Sequence, residues 1–240
     1  MLSITRAACD HAAVTTVFDT LFQAAEVDIR EGSHRRDVPP DEGGRWPISI
    51  VLSLPDPMRQ EVASLMREAE FYAGPGHFMT GHEEAAHITV RAIEPYRAAA
   101  APVDPIAQRC AAAVRRTARA TNALTFALTG VTLTSGSVMA QLEPSDQRAW
   151  QLMDRMAAEL GEDAYYERDD PRDIFYANLI HFAADIRDPA GLIEWSQSRR
   201  RIEPVAYRVD TLELVRFHYT ENGRDRFMRM SSWCRTPLDA

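Results

Sequence analysis

Two short apolar segments of the chain each carry a histidine that could transfer protons. The first is a β-branched run, HITVR, that begins at His87. Side chains alternate between the two faces of a strand, so His87, Thr89 and Arg91 are predicted to share one face while the residues between them enter a core. The second segment, residues 178–184, has His181 at its centre. Two such strands lying side by side would direct two imidazoles into one cleft.

The elements around the two histidines follow the same order in each half of the chain. A helix, a charged or glycine-containing loop, a histidine strand and an Asp-Pro helix start succeed one another twice. The helix start and the histidine are 30 residues apart in the first half (57 to 87) and 37 in the second (144 to 181). This weak internal repeat predicts two similar α+β lobes that each contribute one histidine strand to a shared cleft.

Other local signals complete the predicted architecture. Asp-Pro pairs begin helices because Asp caps free amides and Pro fits the first turn. Residues 1–45 are predicted to form an N-terminal helical extension and a loop, and residues 46–240 the two-lobed domain. Further strands are predicted at 48–54, near 78, over 124–142 as a hairpin turning near 135–136, at 211–219 and at 226–233, the last two joined by an Asn-Gly turn at 222–223.

This arrangement resembles the 2H phosphoesterase superfamily, which includes bacterial RNA 2′,3′-cyclic phosphodiesterases and the 2′-5′ RNA ligases. The signature of that superfamily is two copies of His-x-Thr/Ser-hydrophobic. The first copy is complete here, and His181 follows His87 by 94 residues (181 − 87). The second copy has Ala183 where the hydroxyl residue belongs. The resemblance implies an α+β, bilobal fold with pseudo-twofold symmetry, in which two antiparallel sheets with flanking helices surround a central cleft.

The resemblance also implies a reaction, metal-independent hydrolysis or reversible ligation at a 2′,3′-cyclic phosphate. One neutral and one protonated imidazole can serve as base and acid near neutral pH, so no metal or cofactor is needed. We hypothesise that His87 is the acid and His181 the base for ring opening. Thr89 would hold a phosphate oxygen, and Arg91 could supply charge that compensates for the hydroxyl missing at Ala183.

Several alternatives remain open at this stage. Ala183 favours a non-catalytic protein that binds nucleotides or RNA ends on the same scaffold. A cluster of His77, His82, two glutamates and His87 suggests a zinc hydrolase, but its histidine spacing does not fit the metalloprotease helix. We therefore expect His77 and His82 to lie in a loop flanking the cleft. The two histidines could also be unrelated core residues.

Strand alternation gives a further expectation about the aromatic residues near His181. Tyr176 and Phe182 fall on the face opposite the histidine, so packing in the core is their expected role.

Composition limits the partners. The formal net charge of −8 argues against a broad basic face for duplex nucleic acid, which needs many phosphate contacts. No run approaches the roughly 20 apolar residues of a membrane helix, and Arg6, Asp10 and His11 interrupt any signal peptide. We expect a cytoplasmic monomer whose partner is a small nucleotide or an RNA with a cyclic phosphate end, with no duplex DNA, membrane or metal involved.

Overall fold

Five α-helices, one 3₁₀ helix and nine strands occupy the residues that the computed structural model describes, which are 11–37, 42–44, 48–169, 172–222 and 225–239. In chain order they are α1 (His11–Arg30), β1 (Ile48–Ser53), α2 (Asp56–Ala73), β2 (Phe78–Met79), β3 (His87–Glu94), α3 (Pro105–Arg119), β4 (Leu124–Thr134), β5 (Ser137–Pro144), α4 (Arg148–Leu160), the 3₁₀ helix (Gly161–Glu167), β6 (Phe175–His181), α5 (Pro189–Ser198), β7 (Val205–Val209), β8 (Thr211–Asn222) and β9 (Asp225–Pro237). The predicted Asn-Gly turn and the first ten residues of the predicted N-terminal helix lie outside the described residues. None of the described helices has the length and apolarity needed to cross a bilayer.

The nine strands form one sheet in the order β3-β1-β8-β9-β2-β6-β5-β4-β7. Four strands on each side of β2 are antiparallel and correspond to the two predicted lobes. The short strand β2 pairs antiparallel with β6 and parallel with β9. The fold is α+β and bilobal as predicted, but the two expected sheets are continuous because β2 is hydrogen-bonded on both sides.

Most predicted elements are present, and the differences have local causes. The predicted hairpin is β4 and β5, whose end residues pair at Thr134 and Ser137. Helix α4 begins at Arg148 instead of residue 144, because Pro144 still pairs with Phe126 at the end of β5. The charged loop predicted before the His181 strand begins with the 3₁₀ helix. Strand β7 was missed because it is an edge strand with mostly exposed residues and little apolar alternation.

Helices α1 and α5 pack against β4, α2 packs against β6, and α3 packs against β8 and β9. Their apolar stripes and the sheet enclose the main core, in which the Phe175 ring lies 5.2 Å from Phe126 and 4.4 Å from Trp150. A second, smaller buried cluster contains Phe78 of β2 and Phe217 of β8. The main core therefore fixes β6 from one side, and the small cluster connects the two lobes through β2.

β-Bulges interrupt the alternation of side chains in the histidine strands, and one in each strand lies beside the cleft residues. In β3, Thr89 pairs with Val51 and Arg91 with the preceding residue of β1, so one β3 residue is skipped. In β6, Ile180 pairs with Val138 and Asn178 with the next residue of β5, so one β6 residue is skipped. A bulge of this kind shifts the residues beyond it to the opposite face. Both shifts change which side chains reach the cleft.

The core around β6 gives a stability prediction. Phe126→Ala removes a fully buried ring, so we expect the free energy of unfolding to fall by about 3–5 kcal/mol, because a cavity replaces the ring. Phe71→Ala is the matched control, since that ring is 69% exposed and its loss should cost less than about 1 kcal/mol. Urea unfolding of both variants measures the difference, and equal losses would contradict this description of the core.

Candidate active site

The predicted histidines both line one cavity of about 240 Å³ between β3 and β6. The side chains around it are polar on both sides: the cavity is lined by His87, Thr89, Tyr166, Arg172, Asn178 and His181, among others. Phe217 and Met228, which belong to the small apolar cluster, also contribute to its wall. The site thus combines titratable groups, hydrogen-bonding groups and an apolar surface, the composition expected of a small-molecule site.

His87 is held as a neutral imidazole. Its Nδ1 lies 2.6 Å from the Ala85 carbonyl oxygen, and its ring packs 5.0 Å from the ring of Phe217. Burial lowers the pKa of His87 to about 4; the hydrogen bond to Ala85 opposes this, and the positive charges of Arg172 and His181 add to the lowering. Because Nδ1 donates to a carbonyl, Nε2 is the nitrogen of the neutral ring that is free to accept a proton.

His181 has a different environment, because a carboxylate lies beside it. Its Nδ1 is 3.5 Å from Oδ2 of Asp37, and the two side chains are 8% and 5% exposed. The backbone amide of Asp37 donates to the Phe182 carbonyl at 2.6 Å, which fixes the carboxylate next to the histidine. A carboxylate at this distance stabilises positive charge on the imidazole. Sequence reasoning missed Asp37, since an acidic residue in a charged loop carries no signal of a partner 144 residues away (181 − 37).

Arg172 is a cleft residue that the sequence did not predict. Its Nη1 donates to the Tyr176 hydroxyl at 2.9 Å, and its Nη2 donates to Oε1 of Glu167 at 2.7 Å. Among the described residues, its buried Nε has no hydrogen-bond partner. The same holds for the buried Oδ1 of Asn178, which also lines the cavity. These groups can therefore bond to a ligand.

Of the two predicted phosphate-binding residues, Thr89 lines the cavity and Arg91 does not. The prediction for Arg91 is wrong because the bulge in β3 ends the simple alternation after Thr89. The Arg91 guanidinium instead donates from Nη2 to the Ala164 carbonyl at 2.7 Å, which attaches the 3₁₀ helix to β3.

The aromatic residues near His181 give one wrong and one confirmed prediction. Tyr176 lines the cavity together with His181, because the bulge in β6 brings residues on its two sides to the same face. Phe182 is fully buried in the main core, as expected.

The three remaining cleft candidates, His77, His82 and Ala183, do not line the cavity. His77 is fully buried, with Nε2 3.1 Å from the Ala73 carbonyl, and its Nδ1 accepts the amide of Ala183 at 3.1 Å. His82 contacts the Met228 carbonyl through Nε2. Ala183 follows the end of β6, so strand alternation does not extend to it. Burial lowers the pKa of His77 to about 4. These two histidines support the walls of the site instead of forming it.

Among the residues that the structure describes, no three histidine, cysteine, aspartate or glutamate side chains are grouped closely enough to hold a metal ion. In the alternative zinc cluster, His77 and His82 contact different backbone carbonyls, those of Ala73 and Met228.

Comparison with solved structures identifies the fold. The structure of TT0787 from Thermus thermophilus matches 80% of this chain and 97% of its own at a TM-score of 0.55 and 15% identity. Escherichia coli LigT complexed with 3′-AMP matches 81% of this chain and 99% of its own at a TM-score of 0.56 and 13% identity. A structure described as a phosphoesterase matches 82% of this chain and 100% of its own at a TM-score of 0.54 and 14% identity. The chain has the fold of E. coli LigT.

No protein family and no curated protein matches the chain. A shared fold does not by itself establish a function, so any chemistry must be argued from the cleft itself.

Two buried neutral histidines predict that acid destabilises the protein. The pKa values of His77 and His87 are about 4 in the folded state against an ordinary 6.5, so between these values the unfolded chain binds more protons. The stabilisation of the folded state by these two neutral histidines is complete above about pH 6.5 and is lost as the pH falls towards 4. We expect the free energy of unfolding to decrease over this range by an amount on the order of a few kcal/mol.

Urea unfolding at a series of pH values tests this dependence. His77→Asn keeps an acceptor near the Nδ1 position but does not titrate, so its loss of stability between about pH 6.5 and 4 should be smaller than that of the wild type. An unchanged slope in this variant would contradict the assignment.

Proposed function

We propose that the chain is a metal-independent cyclic phosphodiesterase that opens 2′,3′-cyclic phosphates on RNA ends or small nucleotides. The observation that most strongly supports this is the presence of two nearly buried imidazoles, His87 and His181, in one cleft with a hydroxyl and a guanidinium. Proton transfer on both sides of a phosphate needs two imidazoles. The hydroxyl and the guanidinium are needed to stabilise the charge that develops on the phosphate oxygens. RNA ligation by the reverse reaction would use the same groups.

The environments of the histidines support different roles for them. His87 is neutral at physiological pH, so it is suited to take a proton from the attacking water through Nε2. The water oxygen then bonds to phosphorus as one ribose oxygen departs, and His181 gives that oxygen a proton. The product is a phosphomonoester next to a free hydroxyl. This assignment reverses the roles hypothesised from the sequence, because burial and charge, which alternation does not reveal, decide them.

Binding of the phosphate is assigned to Thr89 and Arg172. The Thr89 hydroxyl lies two residues from His87 on the same wall, and Arg172 brings a guanidinium already oriented by Glu167 and Tyr176. A charge-assisted hydrogen bond is worth about 1.5–3 kcal/mol. Arg172, and not the predicted Arg91, therefore supplies the positive charge for the phosphate.

Two further observations favour a nucleotide as the substrate. E. coli LigT, which shares the fold, has been crystallised with 3′-AMP, NADP+, ATP and phosphate. In this chain, the ring of Tyr166 lines the cleft and the residue is 41% exposed. An accessible aromatic ring beside a phosphate site can stack on a nucleobase.

Ala183 supports a second candidate, a protein that binds nucleotides or RNA ends without turnover. The same cleft would hold the phosphate, but the hydroxyl normally present in the second motif would be missing from the transition state. Binding of a cyclic nucleotide without hydrolysis distinguishes this candidate from the first.

Turnover of a 2′,3′-cyclic nucleotide in EDTA tests the proposed function. We expect the wild type to be active, and His87→Ala and His181→Ala each to lose on the order of 10²- to 10⁴-fold in kcat, because each removes a proton-transfer group. The matched control is His218→Ala on β8, which is half-buried and does not line the cleft. Activity that disappears in EDTA, or that survives in both histidine variants, would overturn the proposal.

The role of Arg172 is tested by Arg172→Lys and Arg172→Met. We expect kcat/KM to fall by roughly 10- to 100-fold in the Met variant and less in the Lys variant, and inhibition by inorganic phosphate to weaken in parallel. Arg168→Met is the matched control, since its side chain is 56% exposed. Thermal melting of each variant separates a folding defect from lost binding. Unchanged phosphate inhibition in folded Arg172→Met would contradict the assignment.

A further inference from the structure

A segment preceding the two-lobed domain reaches the second histidine strand. Residues 31–37, here called the arm, follow α1. The Arg35 amide donates to the Ser135 carbonyl at 2.7 Å in the turn between β4 and β5, and the Asp37 amide donates to the Phe182 carbonyl at 2.6 Å. The His34 Nε2 lies 3.0 Å from the Ala184 carbonyl. The arm therefore follows the chain from the turn to the end of β6.

A side-chain contact attaches the arm at the same place. The Arg36 guanidinium binds Oδ1 of Asp185 through Nη2 at 2.6 Å and through Nε at 2.9 Å. The Asp185 side chain is 88% exposed, so this ion pair lies at the surface. Asp37, by contrast, enters the protein and is 5% exposed at its side chain. Of the two carboxylates at this junction, only Asp37 is directed towards the cleft histidine.

We propose that Asp37 is a positioning residue that orients His181 and keeps its Nδ1 protonated, so that the ring can act as a general acid. The proposal rests on the proposed function for its catalytic meaning. A buried carboxylate has to be paired, and Nδ1 of His181 lies 3.5 Å from its Oδ2. With Nδ1 turned to the carboxylate, the other ring nitrogen is left for the substrate.

The charges near this pair come from the arm and from the lining of the cavity. Nε of the Arg35 guanidinium lies 3.4 Å from Oδ1 of Asp37, and the Arg35 side chain is 56% exposed. Arg172, which precedes β6, brings a positive charge to the cavity that His181 lines, whereas His87 is neutral until it takes a proton. The residues paired with His181 on the flanking strands β2 and β5 are Phe78 and Ser137, which are uncharged. Asp37 thus offsets the positive charge on this side of the cleft.

The arrangement explains how two histidines in one cavity acquire opposite roles. His87 bonds to a neutral carbonyl and loses its proton on burial, whereas His181 is buried next to an anion. The difference comes from the arm and not from the two histidine motifs. A chain with the same motifs but without the arm would lack this difference between the two histidines.

The test compares Asp37→Asn with Asp185→Asn as the matched control. Asp185→Asn removes a carboxylate that attaches the arm but does not face His181, so it measures the effect of weaker arm attachment alone. NMR titration of the histidine rings in the full chain gives a readout that does not depend on turnover. We expect the titration midpoint of His181 to move to lower pH in Asp37→Asn and to remain unchanged in Asp185→Asn.

With a 2′,3′-cyclic nucleotide, Asp37→Asn should lower kcat on the order of 10- to 100-fold with little change in KM. The alkaline limb of the pH profile should move to lower pH, since a less stabilised imidazolium loses its proton earlier. Asp37→Glu, which keeps the charge, should restore part of kcat. An unchanged His181 midpoint in Asp37→Asn, or equal effects of Asp185→Asn, would overturn the proposal. Absence of turnover in the wild type would overturn only the proposed function, because the titration tests Asp37 by itself.

Discussion

The structure depends on the pairing of a two-residue strand, β2, with a strand from each lobe. Phe78 pairs with His181 on one side and with Arg226 on the other, and its ring lies in the small apolar cluster with Phe217 and Val51. Without this junction the two four-stranded units would be separate sheets, held together only by packing contacts such as those between β3 and β6. The hydrogen bonds of β2 therefore turn two lobes into one sheet with a shared cleft.

Burial then gives the cleft its chemical asymmetry. Two imidazoles of the same intrinsic basicity experience different fields, because one bonds to a carbonyl and the other lies beside a carboxylate. Desolvation favours the neutral form of both rings; a carbonyl hydrogen bond opposes this at His87, and a nearby anion opposes it at His181. The arm that supplies this anion is outside both histidine motifs. The proposed acid and base roles would thus be set by the residues around the two histidines.

The alternation rule predicted part of the site and failed at identifiable positions. It placed His87 and Thr89 together correctly, because no irregularity separates them in β3. It placed Arg91 in the cleft and Tyr176 outside it, and both errors come from single skipped residues in the strand pairing. A bulge depends on the register between two strands, which is a long-range property. No local pattern in either strand reveals it.

The sequence by itself determined the α+β class, the order of most helices and strands, and the two histidines with Thr89, because periodicity and turn signals act over short stretches of chain. Tertiary structure alone decided that the lobes share one sheet, that Asp37 lies beside His181 and that Arg172 lines the cleft. It also decided that His77 is a structural residue. These features depend on contacts between segments far apart in the chain and on the burial that results, and neither is encoded in any single stretch.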